Sequence, residues 1–391
     1  MKITIIVGGK FHGFNLAEQL NNKSVLKSLI TSYPKYSLQK HGIEKEKVKS
    51  LLFKEILLKI FNKINYFFKY FDYDFFLCNY FDQKASKLID YQNTDILIGW
   101  SGFSKECFLK AQKYKCIKIL ERGSSHIRFQ EQILKEEYSK TGINHKIPSK
   151  KIIDKEIQEY DLADYICVPS QFVKDSFLKF GINEKKIIKI PYGVDLKEFE
   201  ILKNLKSKND KFKIICTGTV CIRKGSHYLI KAFDELALPE AELIFVGPIE
   251  KEINEILKKF KNNKNIKFIG KKPQGELKYL YNSADLFVLN SIEDGFGMVI
   301  SQAMACGLPV IATENAGGSE IIEDGVDGFI VPVRNNSILK KKISELYFNR
   351  EKLLQMGTNA YKKSLKDLSW ENYGNKMFDT YYNLLKNRLD R

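Results

Sequence analysis

The densest chemistry in the sequence lies in Ser291-Ile292-Glu293-Asp294-Gly295-Phe296-Gly297, between an apolar strand pattern and a helical one that opens at Met298. Glycines here let the backbone approach a ligand closely, and free amides at the next helix start favour a phosphate. The carboxylate of Glu293 or Asp294 can accept hydrogen bonds from sugar hydroxyls. A plain tight turn would use the same glycines. A second loop, residues 218–225, runs Gly-Thr-Val-Cys-Ile-Arg-Lys-Gly. Arg223 and Lys224, on a loop bounded by glycines, would stabilise the negative charge that builds on a departing diphosphate. The alternative is a solvated basic turn.

Three further patterns are weaker. Gly8 and Gly9 precede Lys10-Phe11-His12-Gly13, but the run is not the Gly-x-Gly-x-x-Gly of a dinucleotide site. His126 ends Glu121-Arg122-Gly123-Ser124-Ser125 after an apolar run, where an imidazole can hydrogen-bond a sugar or position an acceptor. Asp72-Tyr73-Asp74 spells an acid-x-acid metal triplet, yet it follows a helical pattern rather than a strand. It is read as coincidence, and no other cluster offers hard-metal ligands.

The elements that must position these loops alternate. Apolar runs at 3–7, 96–99, 117–120, 165–168 and 187–190 predict buried strands, separated by helical stretches such as 15–21 and 172–180. A polar, lysine-rich stretch at 202–213 reads as a linker. Strands at 212–217, 243–246, 266–269, 286–290, 309–313 and 328–331 then alternate with helices at 228–236, 252–260, 276–282 and 298–306. The pattern predicts two α/β domains, each a doubly wound parallel sheet, with ligands beyond the carboxyl ends of the strands.

A length of 391 residues suits two such domains. The formal charge of +17 favours anionic partners, but the lysines are dispersed and no nucleic-acid motif accompanies them. No nucleic-acid partner is expected. Seven cysteines at no metal or redox spacing suit a reducing cytoplasm. The opening apolar run is too short for a signal peptide, and no apolar stretch of ~20 residues predicts a spanning helix. Residues 51–69 are amphipathic at helical spacing: Phe53, Ile56, Leu57, Ile60 and Phe61 share a face opposite Lys54, Glu55 and Lys59. A basic amphipathic helix of this kind can lie on an anionic membrane, although packing on a sheet with its lysines in water is the commoner use.

Residues 291–332 resemble the donor-binding region of the retaining, GT-B-fold glycosyltransferases of family 4, the "glycosyl transferases group 1" type. The match includes Ala303-Met304-Ala305-Cys306-Gly307-Leu308-Pro309-Val310, Gly317-Gly318-Ser319-Glu320 and Gly325-Val326-Asp327-Gly328. Pro191-Tyr192-Gly193-Val194-Asp195, residues 283–288 and Ser369-Trp370-Glu371 extend it over about 160–375.

The resemblance implies a GT-B architecture of two Rossmann-like domains: an acceptor-binding domain at 1–203, a nucleotide-sugar domain at 204–365, and a helix at 366–391 crossing back to the first. It implies transfer of a sugar from a nucleotide diphospho-sugar to a saccharide or lipid-linked acceptor, with retention and without metal or cofactor. His126, Arg223, Lys224, Asp294 and Glu293 would serve the reacting centre. Gly8, Gly9, Gly218, Thr219, Gly295, Phe296, Gly297, Met298 and Gln302 would bind the donor. The family's two glutamates fall on Asp294, or Glu293 beside it, and on Gln302, and Thr219 replaces an arginine for which Arg223 can substitute. A glutamine still accepts from a ribose hydroxyl but without charge assistance. The enzyme would work in the cytoplasm, peripherally on the membrane, in cell-surface polysaccharide or glycolipid synthesis. The rivals are a sugar-nucleotide epimerase on this fold and a binding protein that has lost catalysis.

Overall fold

A computed structural model of the chain describes residues 1–64, 72–143, 148–202 and 211–389. The end of the amphipathic stretch (65–71) and most of the linker (203–210) lie outside the described residues. The first sheet has seven parallel strands: β1 (Ile3–Val7), β2 (Leu26–Thr31), β3 (Val48–Ser50), β4 (Ile96–Trp100), β5 (Ile117–Glu121), β6 (Tyr165–Val168) and β7 (Ile187–Lys189), in the order β3-β2-β1-β4-β5-β6-β7. The second has six: β8 (Phe212–Thr217), β9 (Ala241–Val246), β10 (Ile266–Phe268), β11 (Leu286–Leu289), β12 (Val310–Thr313) and β13 (Gly328–Val331), in the order β10-β9-β8-β11-β12-β13.

Continuous apolar strands fit this arrangement, because helices on both faces of a parallel sheet leave no polar side. Ile3 to Val7 are buried throughout, as are Leu286 to Leu289. In each sheet the strand order reverses beside the first strand: β1 pairs with both β2 and β4, and β8 with both β9 and β11. Crevices open at such reversals, beyond the carboxyl ends of the strands. The glycine and acid loops all leave β1, β5, β8 and β11 at those ends.

β2 and β3 form where the sequence pattern predicts no strand. The last helix, Trp370–Leu389, packs on the helix Gly13–Asn22 of the first sheet's domain. A Cβ on Gly374 would stand 2.5 Å from Gln19 Cβ. Where the chain leaves the first sheet it meets the start of this helix, with Val194 N donating to Leu368 O at 2.7 Å.

The helix Phe53–Ile64 reverses the commoner expectation. Lys54 is buried, hydrogen-bonded to Glu55 at 2.8 Å and set over the Phe103 ring. Leu52, Phe53, Ile56 and Ile60 face outward instead. Among the described residues no helix is long and apolar enough to cross a membrane.

Candidate functional site

The two sheets turn their carboxyl ends toward each other, and Glu293 ties them together. It follows β11 in the second domain and is fully buried. Its Oε1 accepts from Ser125 N at 3.0 Å and Ser125 Oγ at 2.8 Å, both after β5 of the first domain. Its Oε2 accepts from Gln130 Nε2 at 2.8 Å and from Arg223 Nε at 2.7 Å. Burial would raise this carboxyl's pKa, but the Arg223 charge and the hydrogen bonds from Gln130 and Ser125 prevail and hold it at about 2. Glu293 is therefore ionised and saturated by protein partners.

Asp294 is paired with Lys224 and keeps some exposure. The loop 218–225 thus supplies one cation to each acid. Its last residue, Gly225, has φ +62, and a Cβ there would stand 1.8 Å from Asn290 O, so only glycine closes this turn. Gly295 serves the domain contact in the same way. Its own Cβ would lie 2.1 Å from Gly123 O, and its carbonyl accepts from Ser170 Oγ at 2.7 Å. Phe296 packs edge-on to Tyr192 at 5.2 Å, and Gly297 precedes the helix Met298–Ala305.

Two cavities open at this meeting of the domains. One, of about 570 Å³, is lined by Thr219, Arg223 and Lys224 from the second domain and by Gln130, Tyr138 and Glu156 from the first. The other, of about 470 Å³, is lined by Lys10, Phe11, Gln274, Met298, Gln302 and Trp370. Gln302 Oε1 accepts from Tyr281 OH at 3.2 Å, and that hydroxyl also bonds Thr217 Oγ1 at 2.8 Å. Gly8 and Gly9 follow β1 and lead into Lys10 and Phe11 of the second cavity, and the Gly8 carbonyl accepts from Ser32 Oγ at 3.1 Å. Gly218 carries the backbone out of β8, its N–H bonded to Val246 O at 2.9 Å.

His126 takes a different place from the one expected at a reacting centre. It caps the helix Ile127–Thr141, its Nδ1 accepting from Arg128 N at 3.2 Å. Its ring lies flat on Phe180 at 4.5 Å, with Tyr160 and Phe177 about it, and it is only 4% exposed. Burial, then the charges of Arg122 and Arg128, lower its pKa to about 4, so it is neutral at pH 7. Its neighbour Ser125, and Gln130 one turn on, are instead the first-domain groups that bond Glu293. Their only signal in the sequence was polar character just beyond a strand end. His12 is buried too, bonded to Glu121 Oε2 at 3.1 Å and stacked on Tyr192 at 3.9 Å. Asp72 caps the helix Tyr73–Ala85 through Phe75 N, and both acids of its triplet, Asp72 and Asp74, line the first cavity. Among the described residues no three His, Cys, Asp or Glu side chains group as a metal site.

Comparison with known proteins narrows what such a site serves. Residues 197–363 match the family model "Glycosyl transferases group 1". Over 209 residues the chain is 35% identical to an uncharacterised glycosyltransferase of Methanocaldococcus jannaschii, covering 54% of this chain and 56% of that one. Over 200 residues it is 26% identical to the putative colanic acid biosynthesis glycosyltransferase WcaL of Salmonella typhimurium, covering 48% and 49%. The match thus spans about half the length of these curated relatives. The crystal structure of Anabaena HepE in complex with UDP-glucose superposes with a TM-score of 0.69 at 18% identity, over 98% of this chain and 100% of that one. An identity that low speaks for the fold alone.

Proposed function

We propose, for a chain that belongs through residues 197–363 to the glycosyl transferases group 1 family and folds as a GT-B protein, that it moves a sugar from a nucleotide diphospho-sugar to an acceptor hydroxyl with retention of configuration. One observation carries the reading: two carboxylates and two cations pair on neighbouring strand-end loops of the second domain where they meet the first, Glu293 with Arg223 and Asp294 with Lys224. The second domain, taken as 204–365, binds the nucleotide sugar; the first, 1–203, binds the acceptor.

In this reading Asp294, the more accessible acid, orients the donor sugar, while Glu293 holds the domains. Arg223 and Lys224 take up the charge of the leaving diphosphate, with the amides at the start of the helix Met298–Ala305. Their charge makes a metal unnecessary. The leaving phosphate oxygen helps remove the acceptor proton, so no side chain acts as nucleophile. Gln302, fixed by Tyr281, contacts the ribose. UDP-glucose, which HepE binds, is the first donor to try, and the WcaL resemblance supports polysaccharide or glycolipid synthesis at the cytoplasmic membrane face. The outward Phe53, Ile56 and Ile60 would seat the first domain there.

The test is a panel of nucleotide diphospho-sugars with saccharide and lipid-linked acceptors, in buffer with chelator. Parental protein should release nucleoside diphosphate and form an anomerically retained product. An Arg223→Ala/Lys224→Ala variant should lose at least about 10²-fold in turnover. Parental turnover by the double variant would remove the leaving-group role. An epimerised donor without acceptor would favour an epimerase instead, and donor binding without turnover a binding protein.

A further inference from the structure

The helix Ile127–Thr141 belongs to the first domain by sequence, yet most of its length is built into the second. Gln130 bonds Glu293. One and two turns on, Leu134 and Tyr138 are buried in the second domain's core with Ile222 and Leu229. Tyr138 OH donates to Glu252 Oε2 at 3.0 Å, and Glu252 Oε1 accepts from Ile222 N at 2.9 Å, in the middle of the basic loop.

Glu137 adds two further contacts. This fully buried carboxylate meets His227 Nε2 at 3.0 Å and accepts from Arg334 Nε at 2.5 Å, and both partners lie in the second domain. His227 is the second residue of the helix Ser226–Leu236, which begins directly after the basic loop. Arg334 also reaches Glu136 Oε1 at 3.0 Å and the Ile133 carbonyl at 3.4 Å. Its backbone has φ +64, a conformation that a residue with a side chain keeps only when its contacts enforce it. The first domain thus grips the end of the basic loop through His227, its middle through Ile222, and its guanidinium through Glu293.

We propose that Glu137 is a positioning residue for the Arg223–Lys224 loop: by holding His227 and Arg334 it latches the second domain onto the first in the arrangement where that loop meets Glu293 and Asp294. The inference rests on the reading of this loop as the diphosphate site. Without the latch the domains separate more often, and a ligand that needs both must first bring them together. Its apparent affinity then falls in proportion to the closed fraction.

The experiment uses the full chain with Glu137→Gln and, separately, Arg334→Ala. Arg334→Ala acts from the more exposed side and leaves the Glu137–His227 pair in place. Solution X-ray scattering without ligand reads the domain arrangement, and calorimetric titration with UDP reads the site. Both variants should show a larger radius of gyration that returns to the parental value at saturating UDP, with UDP bound about tenfold more weakly. In transfer assays the donor KM should rise with kcat retained at saturation. Folded variants with the parental radius would overturn the latch, including any that merely melt at lower temperature. If one variant does not fold, the other decides. If UDP does not bind the parental protein, the donor carries another nucleotide or the functional reading fails, which the nucleotide-sugar panel decides, and scattering still tests the latch by itself.

Discussion

Glu293 and Asp294 are chain neighbours with different surroundings, and only the far partners explain why. Their pairing with Arg223 and Lys224 was within reach of the sequence, since all four lie on loops expected at strand ends. The Ser125 and Gln130 bonds were not, because those residues stand 168 and 163 positions away. The same limit applies to His126, which the sequence shows as a polar residue at a strand end, while Phe177 and Phe180, which enclose it, arrive from another helix. Its pKa of about 4 against an ordinary 6.5 has a definite consequence. The unfolded chain takes up a proton near pH 6.5 and the folded one only near pH 4, so stability falls as pH drops through that window. The full drop from this residue is on the order of 3 kcal/mol. His126→Asn keeps a capping acceptor but cannot titrate. Thermal melts between pH 7 and pH 4 should therefore slope less steeply for the variant than for the parent. Equal slopes would mean that His126 is protonated in the folded state as readily as outside it.

Strands in which a run of apolar residues is broken by at most one lysine, as in β5, β8 and β10, were legible, and β2 and β3 were not. β1, β6, β8 and β13 fall on the residues predicted. β2 is Leu-Lys-Ser-Leu-Ile-Thr, where Lys27 and Ser28 break the run, and β3 has three residues and marks the sheet edge. Such strands form because β1 offers β2 a partner, and β2 in turn offers one to β3, an effect of tertiary context. The contact between the helices Trp370–Leu389 and Gly13–Asn22 depends on a local feature of a similar kind. Gly374 lies within a helix, where alanine would ordinarily gain about 1 kcal/mol. Here the added Cβ meets Gln19 Cβ at 2.5 Å, which no side-chain rotation relieves. Gly374→Ala should therefore destabilise by about 1–3 kcal/mol, read as a lower melting temperature. In a Gln19→Gly background the same change should be neutral or stabilising. A gain from Gly374→Ala alone would show that the helices do not pack this closely.

At the scale of the whole molecule, charge and apolar surface bear on where the first domain would work. A net charge of +17 draws the protein toward anionic surfaces, but dispersed charge fixes no orientation. The helix Phe53–Ile64 supplies one, since it turns Lys54 inward and leaves Leu52, Phe53, Ile56 and Ile60 in water. Exposed apolar area of this kind adds binding in proportion to what it buries, while electrostatic attraction weakens with salt. The two contributions can thus be separated. Sedimentation with vesicles rich in anionic lipid should carry the parental protein down at low salt and release most of it near 0.5 M. Replacing Phe53, Ile56 and Ile60 together with serine should abolish sedimentation at both salt concentrations while leaving UDP binding unchanged, because none of the three lines either cavity. Binding that responds to salt but not to these substitutions would leave the charge as the only attraction, with no preferred face toward the lipid.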